Sequence, residues 1–536
     1  MIRIFIFLFY IILLSNSSYA QDEYAWIYFT DKKNVNYLIN NPNLILSAKS
    51  IQKKINKGIS IDYRDVPINE DYINTIKIQD EILVLAKSKW FNCIYVKGPL
   101  QYLENLSQFE FIDHIEYANK SLNSKRFQYN INNSEIDLEE QFVDYGSSAN
   151  QINMLNLDYL HNQGFTGKNI DIAIMDAGFK NVDIMSSFSR IRDSDAIKFT
   201  YDFVLDNQNI YTYQGNSHGT KVLSTIAGYI ENEYIGSAPD ASFYLFRTED
   251  VSSETPIEES YWVEAIEVAD SLGVDITNTS LGYKSYDNSN YSHMNDDLDG
   301  YTTFITRASN IAFSKGILLV NSAGNSSSNG VIAPADSPNV VSVGAVDENG
   351  IYAYFSSQGS DIQPSIKPDL VAQGLQSKVI NTNDEIINSN GTSFSSPILT
   401  GGIACLVQAF PKIPIVDIIQ IVKESSSQFN SPDYFIGNGI PNFLEAYSLC
   451  LSLEQNNFLV FPNPFLDKIN FISPWNINEF EIEIFNINGS KIYNKYILNS
   501  RNILDLSHLS NGIYLLKINY QNNNTTETFL KKLIKY

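Results

Sequence analysis

Asn390-Gly391-Thr392-Ser393-Phe394-Ser395-Ser396-Pro397 sets one serine between a Gly-Thr turn and a run of small residues that opens into an apolar helix. Ile398, Leu399, Ala404, Leu406, Val407 and Phe410 mark the helix, with Gly401-Gly402 inside it and Pro411 as its stop. A serine at a helix N-terminus sits in the positive end of the helix dipole. That setting suits a nucleophile whose hydroxyl oxygen becomes anionic in the transition state. Ser, Thr and Asn are also the preferred capping residues, so alone the stretch reads equally well as a plain N-cap. The residues upstream decide between the two.

A serine nucleophile needs a base, and the base needs an orienting carboxylate. His218 stands in Asn216-Ser217-His218-Gly219-Thr220, ahead of Val222, Leu223, Ile226 and Ala227 at helical spacing. The other four histidines, His114, His161, His293 and His508, lack so distinctive a setting. Asp176 ends the apolar strand Ile170–Met175 and precedes Ala177-Gly178. An acid at the end of a buried strand is costly without a partner, although a turn cap would also place one there. Asn325 in Ala323-Gly324-Asn325 follows the strand Ile317–Val320. Its side-chain NH2 and the Ser393 backbone N–H would together meet an oxyanion; by itself it is an ordinary turn residue. The order Asp176, His218, Ser393 is that of subtilisin, and differs from His…Asp…Ser and Ser…Asp…His. The serine context also lacks the Gly-x-Ser-x-Gly elbow of esterases and lipases.

From about 145 to 451, short apolar runs alternate with helical stretches. Phe243–Phe246, Val274–Thr277, Ile317–Val320 and Val340–Val343 read as strands; Glu258–Leu272 reads as a helix stopped by Gly273. The pattern predicts an α/β fold: a three-layer parallel sheet with helices on both faces and chemistry at the carboxyl ends of the strands. Residues 21–125 mix strands (Trp26–Phe29, Glu81–Leu85) and a helix (Leu46–Asn56), an α+β pattern, and 126–144 is a polar linker. Residues 456–536 carry short alternating runs and an Asn488-Gly489 hairpin signal, predicting a small β-sandwich.

These motifs resemble those of the subtilases, the subtilisin-like serine peptidases. Asp176-Ala177-Gly178 resembles the family's aspartate motif, with Ala177 in place of the more usual Ser or Thr. His218-Gly219-Thr220 matches, with departures at Lys221 and Ser224 on the helix that follows. Gly236-Ser237-Ala238-Pro239 and the 391–397 stretch also resemble family signatures. The resemblance implies that Ser280, Leu281 and Gly282, in Asn278–Gly282, pair with the substrate backbone and wall the primary specificity pocket. Ala323 and Gly324 form its other wall, and the floor falls within Ser326–Ala335. Calcium is common in the family, but the chain has no Asp-x-Asp/Asn-x-Asp/Asn-Gly loop, so no metal ligands are assigned. No cofactor is expected to be required.

The flanks extend the resemblance. Residues 21–125, notably Ser88-Lys89-Trp90-Phe91-Asn92, resemble the inhibitory propeptides of Bacteroidetes-type subtilases. Phe461-Pro462-Asn463-Pro464, Asp505-Leu506-Ser507, Gly512-Ile513-Tyr514 and Lys531–Lys535 resemble the type A sorting domain of the type IX secretion system. Residues 1–20 read as a signal peptide: Arg3, the apolar run Ile4–Leu14, then Ser18-Tyr19-Ala20. The run is shorter than the about 20 residues a bilayer span needs, so no transmembrane anchor is expected. The net charge of −23 and the lack of a basic patch argue against nucleic acid. Cys93, Cys405 and Cys450 are too few and too dispersed for a disulfide framework.

The expectation is a secreted or surface serine endopeptidase of 145–451. Its partners are protein or peptide substrates, its own propeptide as inhibitor, and the type IX machinery. A catalytically inactive binding protein on the same fold, or an esterase, is the alternative.

Overall fold

The computed structural model describes residues 22–123 and 145–536, except Asp80, Gln214, 455–456, 462, 475–476, 478, 499–500 and 523–524. The signal segment 1–20 and the linker 126–144 lie outside the described residues.

The N-terminal domain runs β1 (Asp22–Phe29), α1 (Val35–Asn40), α2 (Ala48–Asn56), α3 (Glu70–Lys77), β2 (Leu83–Ser88), β3 (Cys93–Pro99), α4 (Leu100–Asn105) and β4 (Ile112–Tyr117). Its antiparallel sheet has the order β2-β3-β1-β4. One face holds its own core, Ile27, Ile73, Ile94 and Leu103. The other face, through Trp26, Tyr28, Trp90 and Tyr95, belongs to a cluster shared with the central domain.

The central domain begins with α5 (Ala149–Asn153), α6 (Leu157–Asn162), β5 (Asp171–Asp176), α7 (Ser189–Asp193), β6 (Ile197–Asp202) and α8 (His218–Ala227). It continues with β7 (Tyr229–Ile230), β8 (Tyr234–Ile235), β9 (Ser242–Arg247), α9 (Ile257–Leu272), β10 (Ile276–Thr279), α10 (Phe304–Ser314) and β11 (Leu318–Ser322). Next come β12 (Val340–Val346), β13 (Leu370–Gln373), β14 (Ser377–Ile380), β15 (Ile386–Ser389), α11 (Thr392–Ala409), α12 (Ile415–Glu424) and α13 (Phe443–Glu454). Seven strands form one sheet in the order β13-β12-β11-β10-β5-β9-β6, every pair parallel.

Because side chains alternate across a sheet, each apolar strand feeds two cores. Ile172 and Ile174 pack with α8 and α11 on one face. Ala173 and Met175 pack with α9 and α10 on the other. This is the three-layer architecture expected. Gly273 caps α9 at φ 87°, a left-handed conformation that favours glycine. Most element boundaries shift from the sequence reading, the strand expected at Glu81–Leu85 running Leu83–Ser88 for instance, and two of the shifts have a local cause. The strand expected at Val274–Thr277 starts at Ile276 because Val274 still belongs to the helix-end turn, its N–H donating to the Ala269 carbonyl at 3.0 Å. Helix α2 starts at Ala48, since Ser47 caps it by accepting the Ser50 N–H.

The C-terminal domain is a β-sandwich. One sheet has the order β16 (Leu459–Phe461), β17 (Lys468–Ile472), β20 (Arg501–Asp505). The other is β19 (Lys491–Ile497), β18 (Phe480–Asn486), β21 (Gly512–Asn522), β22 (Thr525–Lys535). Phe471, Ile482, Ile484, Leu516 and Ile518 fill the space between the two sheets. The polar stretch before it predicts few contacts with the central domain. The structure corrects this: Leu459, Phe461 and Ile472 join the central core, and the Phe461 ring lies 6.1 Å from that of Phe429.

Candidate active site

β11, β10 and β5 are neighbours, and their carboxyl ends gather the expected site residues. Asp176 is the last residue of β5 and fully buried. Its Oδ1 accepts the Ala177 N–H at 2.7 Å and lies 2.8 Å from His218 Nδ1. The aspartate therefore selects the tautomer with the proton on Nδ1 and leaves Nε2 as the basic nitrogen. Asp176 Oδ2 is buried and has no hydrogen-bond partner among the described residues. His218 opens α8, and Gly219 permits the approach: a Cβ there would stand 2.6 Å from the Gly178 carbonyl oxygen and 3.0 Å from Asp176 Cβ.

Of the other histidines, His161 is half-buried between Tyr145 Oη (2.9 Å) and the Ser237 carbonyl (3.1 Å), and loss of solvent around its ring pushes it down to about 4. His293 lies on Glu259 at 2.6 Å, and His114 is exposed beside Asp113. His218 alone faces a carboxylate at the strand ends.

Ser393 is the second residue of α11. Pro397 stands four residues on and has no N–H to return to the Ser393 carbonyl. That carbonyl instead accepts Ser280 Oγ at 2.8 Å, which ties the start of α11 to the segment after β10. Asn278 extends the tie. Its Nδ2 donates to Ser280 Oγ at 3.0 Å, and its Oδ1 accepts Ser396 Oγ at 2.8 Å and Thr400 Oγ1 at 3.1 Å. In this conformer Ser393 Oγ donates to the Ser280 carbonyl at 3.2 Å. A turn about χ1 is needed to bring it to His218, and such hydrogen bonds often tighten only when substrate binds. The His218 ring already lies 5.8 Å from the ring of Phe394, the next residue.

Asn325 Oδ1 accepts the Thr392 N–H at 2.9 Å and Thr392 Oγ1 at 3.1 Å. Since the Thr392 N–H can only donate, the amide oxygen must face it and Nδ2 must point the other way. A Cβ on Gly391 would lie 3.6 Å from Asn325 Nδ2 and 3.7 Å from both Ser393 N and Oγ. Two N–H donors and the hydroxyl thus converge on one point that only glycine, at φ 146°, leaves open. Thr392, which orients Asn325, and Asn278, which fixes Ser280, were not singled out from sequence. Their partners lie 67 and 118 residues away, and only the Gly-Thr turn hinted at the first.

The expected pocket residues flank this point. Ser280 is buried, and Leu281 and Gly282 are half-buried on one side. Ala323 and Gly324, stitched to β12 through Ala323 N–H to the Val343 carbonyl (2.9 Å), lie on the other. Asn321 Nδ2 donates to the Leu281 carbonyl at 3.0 Å and joins the two. Behind Asp176, burial pushes the Glu249 carboxyl up to about 8, and its Oε1 accepts the Tyr283 hydroxyl. Among the described residues, no three His, Cys, Asp or Glu side chains converge as metal ligands would.

The sequence profile described as the Subtilase family matches residues 167–439. That of the Peptidase S8 propeptide domain, Bacteroidota, matches 24–135. That of the Secretion system C-terminal sorting domain matches 459–534 and places the protein at the cell surface or outside the cell, by type IX secretion. No helix among the described residues is long and apolar enough to cross a membrane. Subtilisin amylosacchariticus of Bacillus subtilis subsp. amylosacchariticus is 30% identical over 312 residues, 57% of this chain and 71% of its own. Subtilisin DY of Bacillus licheniformis is 28% identical, over 56% of this chain and 97% of its own. An alkaline protease of Alkalihalobacillus alcalophilus is 25% identical over 74% of this chain and 93% of its own. The solved structure of the epidermin leader peptide processing serine protease of Staphylococcus aureus shares the fold. It has a TM-score of 0.54 at 16% identity, over 80% of this chain and 98% of that one. By the profile match over its central domain and by these relatives, the chain belongs to the subtilase family, the S8 serine peptidases.

Proposed function

We propose that the central domain is an active serine endopeptidase using Asp176, His218 and Ser393. The observation that carries this reading is the Asp176–His218 hydrogen bond at 2.8 Å, set beside a point onto which Ser393 N, Ser393 Oγ and Asn325 Nδ2 converge. Ser393 Oγ attacks the peptide carbonyl carbon as His218 Nε2 takes its proton. Asp176 holds the ring and stabilises the imidazolium. The carbonyl oxygen, now anionic, moves into the space before Gly391 and receives the Ser393 N–H and Asn325 Nδ2. The intermediate collapses, His218 gives its proton to the leaving amine, and water releases the acyl group by the same steps. Ser280–Gly282 and Ala323–Gly324 line the site where the substrate side chain enters.

Protein freed of residues 21–125 should hydrolyse casein; a folded preparation that leaves casein intact would favour the inactive binding protein. Asn325→Ala should lower kcat by about 10²–10³, because one oxyanion donor is lost. A variant within twofold of wild type would place that donor elsewhere.

The N-terminal domain is proposed to be the inhibitor of this site. It docks on α9 and α10 through buried contacts. Glu267 accepts Ser88 Oγ (2.5 Å), the Lys89 N–H (2.8 Å) and the Trp90 N–H (3.0 Å). Lys54 pairs with Asp270 at 2.7 Å, and the Trp26 ring lies 4.8 Å from that of Phe304. Added in trans, the 21–125 segment should inhibit the mature enzyme. Glu267→Ala should weaken it by about tenfold or more, since three bonds to one carboxylate are lost. An unchanged inhibition constant would show that docking does not depend on this contact.

A further inference from the structure

We propose that Ile332 fills the recess beside Ser393, so that the residue supplying the attacked carbonyl must be small: glycine, alanine or serine. This rests on the peptidase reading above and names its substrate class.

With the carbonyl oxygen before Gly391, the acyl residue's side chain must leave between the two segments that flank Ser393. One is Ser280–Gly282, bonded to Ser393 at 2.8 and 3.2 Å. The other is Ala323–Asn325. Each carries a glycine there, and a gap between two glycines would ordinarily admit a large side chain. Here a single side chain reaches both. A Cβ on Gly282 would stand 2.5 Å from Ile332 Cδ1 and Cγ1, and one on Gly324 would stand 3.1 Å from the same two atoms. Ile332 therefore spans the gap from wall to wall.

It is also held there. The Ile332 N–H donates to the Ala323 carbonyl at 3.2 Å. Ala333 exchanges both backbone bonds with Tyr283, at 2.9 and 3.1 Å, and the Ala335 N–H returns to the Ile332 carbonyl at 2.8 Å. The segment is thus stitched to both walls. Val331, Ala333 and Ala335 around it are fully buried, whereas Ile332 is half-buried. A β-branched side chain has few rotamers to retreat into, and its neighbours are close-packed. A phenylalanine or leucine in this recess would need the volume that Cγ1 and Cδ1 occupy.

The test uses the mature enzyme and tetrapeptide p-nitroanilides that differ only in the residue before the anilide: Gly, Ala, Ser, Leu or Phe. The kcat/KM for Ala should exceed that for Phe by about tenfold or more, the scale on which pocket fit discriminates. Ile332→Gly should lower the Ala-to-Phe ratio by at least about tenfold, and Ile332→Ala should fall between the two. The ratio is taken within one preparation, so partial misfolding does not move it. Cleavage sites in casein, read by mass spectrometry, are the second measurement and should follow Gly, Ala and Ser. Wild-type preference for Phe or Leu in either assay, or a ratio that neither variant moves, would overturn the role of Ile332 and leave the peptidase reading standing. Failure to cleave casein and all five anilides would remove the peptidase reading, and this one with it.

Discussion

Ser393→Ala is expected to lower kcat for peptide hydrolysis by on the order of 10⁶, the scale of a triad knockout in subtilisin. The hydroxyl lies at the point that Asn325 Nδ2 and the Ser393 N–H face, and a turn about χ1 brings it to His218. Its removal takes away bond formation, whereas the backbone N–H and Asn325 remain, so a small residual rate over water should survive. The fold should hold. Ser280 Oγ reaches the Ser393 carbonyl and not its hydroxyl, and the side-chain bond lost is a single one to the Ser280 carbonyl at 3.2 Å. Kinetics on one anilide, with circular dichroism on the same sample, check both halves. A variant with wild-type kcat would remove Ser393 as the nucleophile.

Asp176→Asn should cost about 10⁴ in kcat at neutral pH. The change is isosteric, so packing at the end of β5 is kept. What changes is the partner of His218 Nδ1. The Ala177 N–H can only donate, so the amide oxygen must continue to accept it if the turn is to hold. That same oxygen faces His218 Nδ1 at 2.8 Å, so the ring keeps its tautomer but loses the charge that stabilises the imidazolium; a flipped amide would give up the Ala177 bond, present an N–H to Nδ1 and move the ring proton to Nε2, where the ring cannot accept the serine proton. Activity should recover partly at high pH, where hydroxide can stand in for the base, and less so in the wild type. Equal kcat values for Asp176→Asn and wild type at pH 7 would break the link between Asp176 and His218.

Much of this was readable from residue order. The strands of the central sheet are apolar on both faces, so runs such as Ile170–Met175 and Val340–Val343 announce themselves. The helix Glu258–Leu272 shows its period and its Gly273 stop. Strand β6, Ile197–Asp202, carries no clear strand signal in the sequence. It lies at the sheet edge with only half-buried or exposed residues before Asp202, and so lacks the continuous apolar signal. The nucleophile, base and carboxylate could be named because each sits at the end of an element with a distinctive local sequence. The residues that aim them could not. Thr392 turns the Asn325 amide, and Asn278 and Pro397 together free and hold the Ser393 carbonyl, through bonds between segments far apart in the chain. Ile332 shows no signal in sequence either, because its meaning comes from two glycines 50 and 8 residues before it. The packing of Leu459 and Phe461 into the central core was masked by the polar stretch beside it.

The most direct test of the triad is covalent labelling of the mature enzyme with a fluorophosphonate, followed by intact and peptide mass spectrometry. One equivalent should attach to Ser393, and labelling should slow by orders of magnitude in His218→Ala and Asp176→Asn. Label on another residue, or on Ser393 at the same rate in all three proteins, would contradict an Asp176–His218–Ser393 mechanism.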